Sequence, residues 1–515
     1  MRVLLIAAAC LAPVACSTVD REELEARLPE RAAFAADADT GATETPNWLA
    51  DFSSPELDAL VAEALARNNS LAATAATFRA SRAVARQVRS GLLPSLTGQI
   101  TKGRSAPVPN VVNQVNDGTT GGGAAPPTGV ASRDFVGTAS LGVSLSWELD
   151  IWGRLTDQTR AAYLDATAAS SDLHAARLSI AGRTAEAWFN LVEARQQREL
   201  AERDFDIRSR SLGITERRYD RGVSSSLELR LARSAQASAE ATMYLRRRVE
   251  QEAARALEVL LGRYPAAELQ GADALPSLPG LPHIGTPSDI LERRPDVIAA
   301  ESRMRAAGLR VHAARKALLP QITLTGTAGS NILTAATDDT TALAALDFSK
   351  IFDPDQIAAS LVAGLVQPLF QGGRLRAQVQ QQKQLMEQSL YLYAQSALLA
   401  FQETENALAA EKLLAAQEKA LRLAFEEAAA AQDLTERRYS SGRATIFELL
   451  DAQQRRINAE SQYIAIVRDR LANRVGLHLA VGGAFEAPTY ETDPARTAED
   501  ATPPALAAAE EGGAA

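Results

Sequence analysis

Cysteine is almost absent from this chain of 515 residues: only Cys10 and Cys16 occur, both within the first sixteen positions. The remainder of the chain therefore has no disulfide framework. Aromatic residues are also scarce, at 5%, which disfavours a large aromatic core and is typical of long alanine-rich helices. After the leader no stretch approaches about 20 uninterrupted apolar residues, so we expect no transmembrane helix.

Basic stripes and catalytic motifs are missing as well. The formal net charge of -9 argues against nucleic acid as a partner, because binding a phosphate backbone requires clustered basic residues. The chain has neither a nucleophile elbow nor a glycine-rich phosphate loop followed by Lys-Ser/Thr. Its histidines lack a metal-ligand spacing such as H-E-x-x-H; they are His174, His283, His312 and His478. We therefore expect no enzymatic activity, no metal site and no cofactor.

Residues 1–15, MRVLLIAAACLAPVA, have one basic residue followed by an apolar run, which is typical of an export signal. Cys16 follows directly, in the position of the lipidated cysteine of bacterial lipoproteins, although Pro13 stands where that motif usually has leucine. Cys10 is the rival site, but its leader is too short. We expect cleavage before Cys16 and attachment of diacylglycerol and an N-acyl chain (palmitate) to it. The alternative is an ordinary signal that is cleaved elsewhere.

The pentapeptide Thr-Glu-Arg-Arg-Tyr occurs twice, from Thr215 and from Thr435. A glycine follows each copy at the same spacing, and matches at this offset of 220 continue in both directions. Such self-similarity indicates a tandem duplication in which each copy is one structural unit. We divide the chain into an extended lipid-anchored segment, a first repeat, a Pro/Gly-rich linker, a second repeat and a disordered tail: residues 16–50, 51–264, 265–295, 296–484 and 485–515.

Each repeat begins with a helix and two amphipathic strands. The helical segments, about 70–93 and 296–319, each end before a proline. Shorter apolar-polar alternations of about eight residues follow. The clearest strand runs from Phe135 to Leu149, where apolar side chains occupy alternate positions. Period two over this length predicts a strand with one apolar and one polar face.

Two long spans without proline follow the strands, at residues 153–264 and 369–487. Helix-forming residues dominate both spans, and we predict that each folds back once, at Gly222 and at Gly442. The first arm then covers 222 - 153 = 69 residues, which at 1.5 Å per residue is roughly 100 Å. A helix of that length exceeds the diameter of a compact domain.

Four amphipathic strands cannot lie in a bilayer as an open sheet, because the unpaired edges are too costly there. Three copies of the chain, with four strands each, would close a twelve-stranded β-barrel. We therefore predict a mostly α protein with a small transmembrane β part. Its trimer would form this β-barrel, continued by a long α-helical barrel.

The sequence resembles the TolC-like outer membrane efflux proteins, and in particular the lipoprotein branch that works with resistance-nodulation-division pumps. The resemblance rests on three segments and on the duplicated plan; the segments are SWELDIWGR from Ser146, LERRPDV from Leu291 and YSSGRATIFELLDAQQ from Tyr439. It implies a homotrimeric, lipid-anchored outer membrane channel that extends into the periplasm. Such a channel passively conducts drugs or other small molecules from an inner-membrane pump and a periplasmic adaptor protein.

Two other readings remain open. One is the exit duct of a type I protein secretion system or of a metal efflux system. The other is a structural lipoprotein with a coiled-coil stalk and no conduit, against which the amphipathic strand from Phe135 argues. Catalysis is the least favoured.

The resemblance also implies a role for the two hairpin turns, at Gly222 and Gly442, as the periplasmic tip where the family closes its pore. Glu448 and Asp451 match the family's paired acids at the constriction. Three residues apart, they share one helical face. In a trimer they would form stacked carboxylate rings that favour cations.

Three further tip residues are candidates for links that hold the pore shut. Glu228 matches an acid of the family's first hairpin that faces the neighbouring hairpin. The family's tip arginine falls at Ala444 here, so Arg443 and Tyr439 are the residues that we expect to replace it. The alternative is that all of these charges belong to a solvated helix surface and contribute under about 1 kcal/mol per pair.

Overall fold

The computed structural model describes residues 34–35, 48–105, 135–282, 284–336 and 353–483. The expected export signal, the lipidation site at Cys16 and the tail from residue 485 lie outside these ranges.

Within these ranges, both repeats contain short helices, two strands and a pair of long helices. In the first repeat these are α1 and α2, β1 and β2, then α3 and α4: Pro55–Arg67, Asn69–Ser90, Ser95–Ser105, Phe135–Leu149, Arg154–Asp220 and Ser226–Leu260. In the second repeat they are α5 and α6, β3 and β4, then α7 and α8: Pro287–Arg293, Pro295–Lys316, Gln321–Ala336, Ile357–Val366, Arg374–Ser440 and Ile446–Ala480. Single 3-10 turns lie at Ala50–Phe52 and Pro354–Gln356.

The long helices have the same lengths in both repeats. Helices α3 and α7 each contain 67 residues, and α4 and α8 each contain 35. Their starting points differ by 374 - 154 = 220 and 446 - 226 = 220 residues. The structure therefore reproduces the offset of the sequence repeat. None of the described helices is both long enough and apolar enough to span a bilayer.

The four strands form one antiparallel sheet in the order β1-β2-β3-β4. Its register separates apolar from polar side chains: one row contains Leu96, Leu145, Gly326 and Leu361, and the next contains Thr97, Ser144, Thr327 and Ser360. Strands β1 and β3 have 11 and 16 residues, longer than the predicted eight, because pairing with β2 extends them beyond the clear alternation. The amphipathic sheet predicted from the sequence is confirmed.

The described chain divides into two compact units, and each unit takes segments from both repeats. The first contains residues 34–35, 64–105, 135–180, 285–336 and 353–409, and the second contains residues 48–63, 181–282, 284 and 410–483. The sheet lies in the first unit. Both hairpin turns lie in the second.

Each unit has its own core. In the first unit, apolar residues of α6 pack against α7; the buried members are Ile290 of α5, with Val297, Met304, Leu390, Tyr393 and Ala400. In the second unit, Trp48 stacks on His478, with 5.5 Å between ring centroids, and Phe52 packs against Phe189. The second unit thereby anchors the segment that precedes the first helix.

Candidate functional site

The two hairpin turns have the same backbone geometry. Gly222 and Gly442 adopt φ values of +75° and +76°, a left-handed conformation that glycine adopts without the penalty of a Cβ atom. The N–H of Gly222 donates to the carbonyl of Tyr219 at 2.8 Å, and the N–H of Gly442 donates to that of Tyr439 at 3.0 Å. The helices therefore end in the same way in both hairpins.

Each return helix begins with a reciprocal side-chain cap. Ser225 and Thr445 are the N-cap residues of α4 and α8, and Glu228 and Glu448 complete the two capping boxes. The backbone N–H of Thr445 donates to Oε2 of Glu448 at 2.6 Å, and that of Ser225 donates to Oε2 of Glu228 at 3.3 Å. These hydrogen bonds satisfy amides at the helix start that have no partner within the helix.

Local hydrogen bonds thus engage both of these acids. The backbone N–H of Thr445 lowers the pKa of the Glu448 carboxyl, its hydroxyl acts in the same direction, and Arg438 adds a smaller effect. In the first hairpin, the Glu228 carboxylate also accepts a hydrogen bond from the Ser224 hydroxyl. The structure therefore gives Glu448 and Glu228 a capping role that the sequence analysis did not assign.

Asp451 lies one turn beyond Glu448 and is exposed. Its Oδ2 accepts a hydrogen bond from Nε of Arg455 at 2.7 Å. Both acids line an open groove between α7 and α8; the other residues lining it are Ala428, Ala431, Thr435, Arg438, Ala444, Ala452 and Arg455. The predicted pair of acids therefore shares one surface, but two arginines lie on that surface with them.

Tyr439 joins the two hairpins. Its ring is buried, with 3% of the residue exposed, and its hydroxyl lies 2.9 Å from the hydroxyl of Thr215 on α3. The guanidinium of Arg218 stands over the ring, 5.1 Å from its centroid, and donates to the Tyr439 carbonyl at 3.1 Å. Ile214 and Leu231 of the first hairpin pack against the same cluster. We call this contact the tyrosine clasp.

Arg443 has a different environment. Its Nε donates to the hydroxyl of Ser441 at 3.1 Å, so its hydrogen bond stays within its own turn. Tyr439 and Arg443 were predicted to act together, but the structure places Tyr439 in the contact between hairpins and Arg443 on the exposed turn.

Sequence reasoning missed the partners of Tyr439, although the signal was present. Thr215 and Arg218 belong to the first copy of the repeated pentapeptide, and Tyr439 belongs to the second. The repeat therefore contained both halves of the contact. What it did not show is which copy supplies which half.

Polar side chains continue the contact between the hairpins away from the turns. Gln453 donates to the hydroxyl of Ser211 at 3.1 Å, and Arg203 pairs with Glu460 at 2.8 Å. Gln453 and Glu460 interrupt the apolar periodicity of α8, and the structure shows that they meet polar partners on α3. No group of three or more potential metal-binding side chains occurs among the described residues.

Comparison with known proteins places the chain among transport proteins. A family model described as outer membrane efflux protein matches residues 60–263 and 286–483. The chain is 31% identical over 445 residues to the pyoverdine export outer membrane protein OpmQ of Pseudomonas putida. The aligned region covers 85% of this chain and 88% of that protein. It is also 31% identical over 459 residues to the outer membrane protein OprJ of Pseudomonas aeruginosa, covering 88% and 89%.

The fold has solved counterparts. The structure of the outer-membrane channel OprN superposes with a TM-score of 0.74 at 25% sequence identity. The match covers 88% of this chain and 97% of OprN. The mostly helical fold with a small sheet is thus the fold of a known outer-membrane channel.

Proposed function

The chain belongs to the outer membrane efflux protein family and is the outer membrane channel of a tripartite efflux system, and we propose that three copies of it form one conduit. Its relatives are channel proteins rather than enzymes. The conduit passively carries small molecules that an inner-membrane pump and a periplasmic adaptor deliver.

The sheet is the observation that carries this proposal. Strands β1 and β4 are its two edges, and within the described residues each pairs with one neighbour. Large apolar side chains on one face of these edge strands are exposed in the single chain; they are Leu96, Ile100, Ile357, Leu361 and Leu365. An apolar face suits lipid, but open edges do not, because the bilayer offers no hydrogen-bonding partner. Closure with the sheets of two further copies satisfies both requirements.

The hairpin turns are the second element of the proposal. We place them at the periplasmic end of the conduit, where Glu448 and Asp451 of three copies form rings of carboxylates that favour cations. Glu448 can serve both roles, since a carboxylate has two oxygens and its Oε2 accepts the cap hydrogen bonds. Tyr439 positions this turn against the first hairpin through the tyrosine clasp.

Electron microscopy and conductance measurements test the proposal together. Protein purified from outer membranes in detergent is expected to give hollow particles with threefold symmetry. The same preparation should produce discrete ion-conducting steps in planar lipid bilayers. A solid monomeric particle, or a trimer that never conducts in any preparation, would contradict the proposed conduit.

A further inference from the structure

The tyrosine clasp uses one half of each copy of the repeated pentapeptide, and Arg438 and Tyr219 of the other halves are exposed. Thr215 and Arg218 of the first hairpin hold Tyr439 of the second. The equivalent residues, 220 positions away, are Thr435, Arg438 and Tyr219. Arg438 lines the open groove between α7 and α8, and Tyr219 is 42% exposed. One chain therefore contains a complete clasp and the two separate halves of a second.

The two halves have the geometry that the complete clasp requires. The turn glycines after Tyr219 and Tyr439, Gly222 and Gly442, have φ values that agree to within one degree. Each glycine N–H also donates a hydrogen bond to the carbonyl of the tyrosine in its own turn. The helices that carry Thr215 and Thr435 have the same length. The two hairpins thus present the threonine, the arginine and the tyrosine from equivalent backbone positions.

The groove of the second hairpin is equivalent, in the repeat, to the surface of the first hairpin that binds Tyr439. Thr435 and Arg438 line that groove, and they occupy the positions of Thr215 and Arg218. In the first hairpin these positions contact Tyr439. Leu434, the counterpart of the packed Ile214, is 59% exposed.

We propose that Tyr219 of one copy binds in this groove on the next copy, where Thr435 and Arg438 hold it as Thr215 and Arg218 hold Tyr439. Within one chain Tyr439 already makes the contact between hairpins, so Tyr219 finds an equivalent groove on another copy. An interface that joins two different surfaces is heterologous, and it closes into a ring when the rotation allows. This inference rests on the proposed trimer and names the contact that joins its members at the turns.

The remaining contacts between the hairpins do not repeat in this way. The counterparts of Ser211 and Gln453 are Ala431 and Arg233, which cannot form the same hydrogen bond. Likewise, the counterparts of Arg203 and Glu460 are Leu423 and Glu240. The clasp is therefore the part of the contact that both kinds of interface can share.

Site-specific photocrosslinking tests the proposal. Tyr219 is replaced by p-benzoylphenylalanine in the full-length protein, which is purified in detergent and irradiated. We expect covalent dimers and trimers on a denaturing gel, with the crosslinked peptide containing residues 435–438 of the second chain. The matched control places the same residue at Tyr439. Its crosslink should stay within one chain and map to residues 215–218.

Two arginine variants provide a second readout. Arg438→Ala should reduce the yield of crosslinks from position 219 and leave those from position 439 unchanged, and Arg218→Ala should do the reverse. Suppose that the native mass is that of three chains. If crosslinks from position 219 then map to other residues, or do not form, this inference is overturned and the proposed function is left intact. A native mass of one chain would overturn both.

Discussion

At the residue scale, the two acids of the second hairpin turn differ in their local bonding. Glu448 accepts hydrogen bonds from the start of its own helix, which lowers its pKa, whereas Asp451 pairs with Arg455 on an exposed surface. Substitutions can therefore separate a structural role from an electrostatic one. Glutamine at position 448 can still accept the cap hydrogen bond, since a capping box accepts either Glu or Gln.

The first prediction concerns ion selectivity. The double variant Glu448→Gln and Asp451→Asn should lose most of its preference for cations, because a trimer would lose two rings of charge. The reversal potential across a planar bilayer under a salt gradient measures this preference. Glu252→Gln removes a negative charge from an exposed position of α4 and serves as the control. An unchanged reversal potential in the double variant would exclude the carboxylate rings.

The second prediction concerns the tyrosine clasp. Tyr439→Phe keeps the ring and removes the hydrogen bond to Thr215, a loss of about 1 kcal/mol. Amides of the turn after position 439 should then exchange with solvent about fivefold faster, since local opening becomes easier by that amount. Tyr264→Phe, at a position that is 86% exposed, is the control. Equal exchange rates in both variants would show that the hydroxyl contributes nothing.

The third prediction concerns acid stability. Burial against Trp48 lowers the pKa of His478 to about 4, the Arg474 charge acts in the same direction, and Asp51 opposes it. Between pH 6.5 and 4 the unfolded chain binds a proton at this residue and the folded chain does not. Low pH therefore favours unfolding, by up to about 3 kcal/mol from this group.

Replacing the histidine by an uncharged ring should weaken this effect. His478→Phe is expected to lose less thermal stability than the unsubstituted protein between pH 7 and pH 4.5. The same substitution at His312 in α6 is the control. If both variants keep the original pH dependence, His478 is not responsible for it.

At the element scale, the turns and helix ends follow from local chemistry. Helices α2 and α6 were expected to reach residues 93 and 319, and they end at Ser90 and Lys316. Each helix ends three residues before the predicted end, because residues 91–93 and 317–319 form a turn before the proline. The predicted linker, residues 265–295, overlaps the first helix of the second repeat, the seven-residue α5, which has a capping box at Thr286 and a proline at its first position. The sequence TPSD at residues 286–289 contains both features, which are typical of a helix start.

The fourth prediction tests the turn glycines. Gly222→Ala and Gly442→Ala should each destabilise their hairpin by about 1–2 kcal/mol, because a left-handed conformation is strained for any residue with a Cβ atom. A Cβ atom would meet no other atom within 4 Å at either position, so the cost is that of the backbone alone. Hydrogen exchange of the turn amides measures the change.

Gly476 provides the matched control for these variants. It lies inside α8, where a Cβ atom also meets nothing within 4 Å. Gly476→Ala should stabilise the helix by up to about 1 kcal/mol, because alanine has the higher helix propensity. Equal effects of alanine at all three positions would show that the left-handed conformation is not the cause.

At the scale of the whole molecule, we propose that the chain is attached to the outer membrane by lipid on Cys16. The fifth prediction is that the mature protein begins at this cysteine and carries diacylglycerol and an N-acyl chain, detectable by mass spectrometry of the N-terminal peptide. Cys16→Ala should abolish the modification, and Cys10→Ala should leave it in place. An unmodified N-terminus at another position would refute the anchor.

The sequence by itself determined the duplication, the lengths of the long helices, the turns at Gly222 and Gly442, and the apolar and polar faces of the strands. These features depend on the order of neighbouring residues: helix propensity, alternation with period two and the need for glycine at positive φ. The residues that produce these features are the same, or nearly the same, in both repeats.

Only the tertiary structure decided how the two halves differ. It buries Tyr439 and leaves Tyr219 exposed, and it joins Gln453 to Ser211, 242 positions away in the sequence. It also distributes both repeats over each compact unit. The reason is physical: such contacts form between side chains far apart in sequence, and two nearly identical segments acquire different surroundings only when the chain has folded.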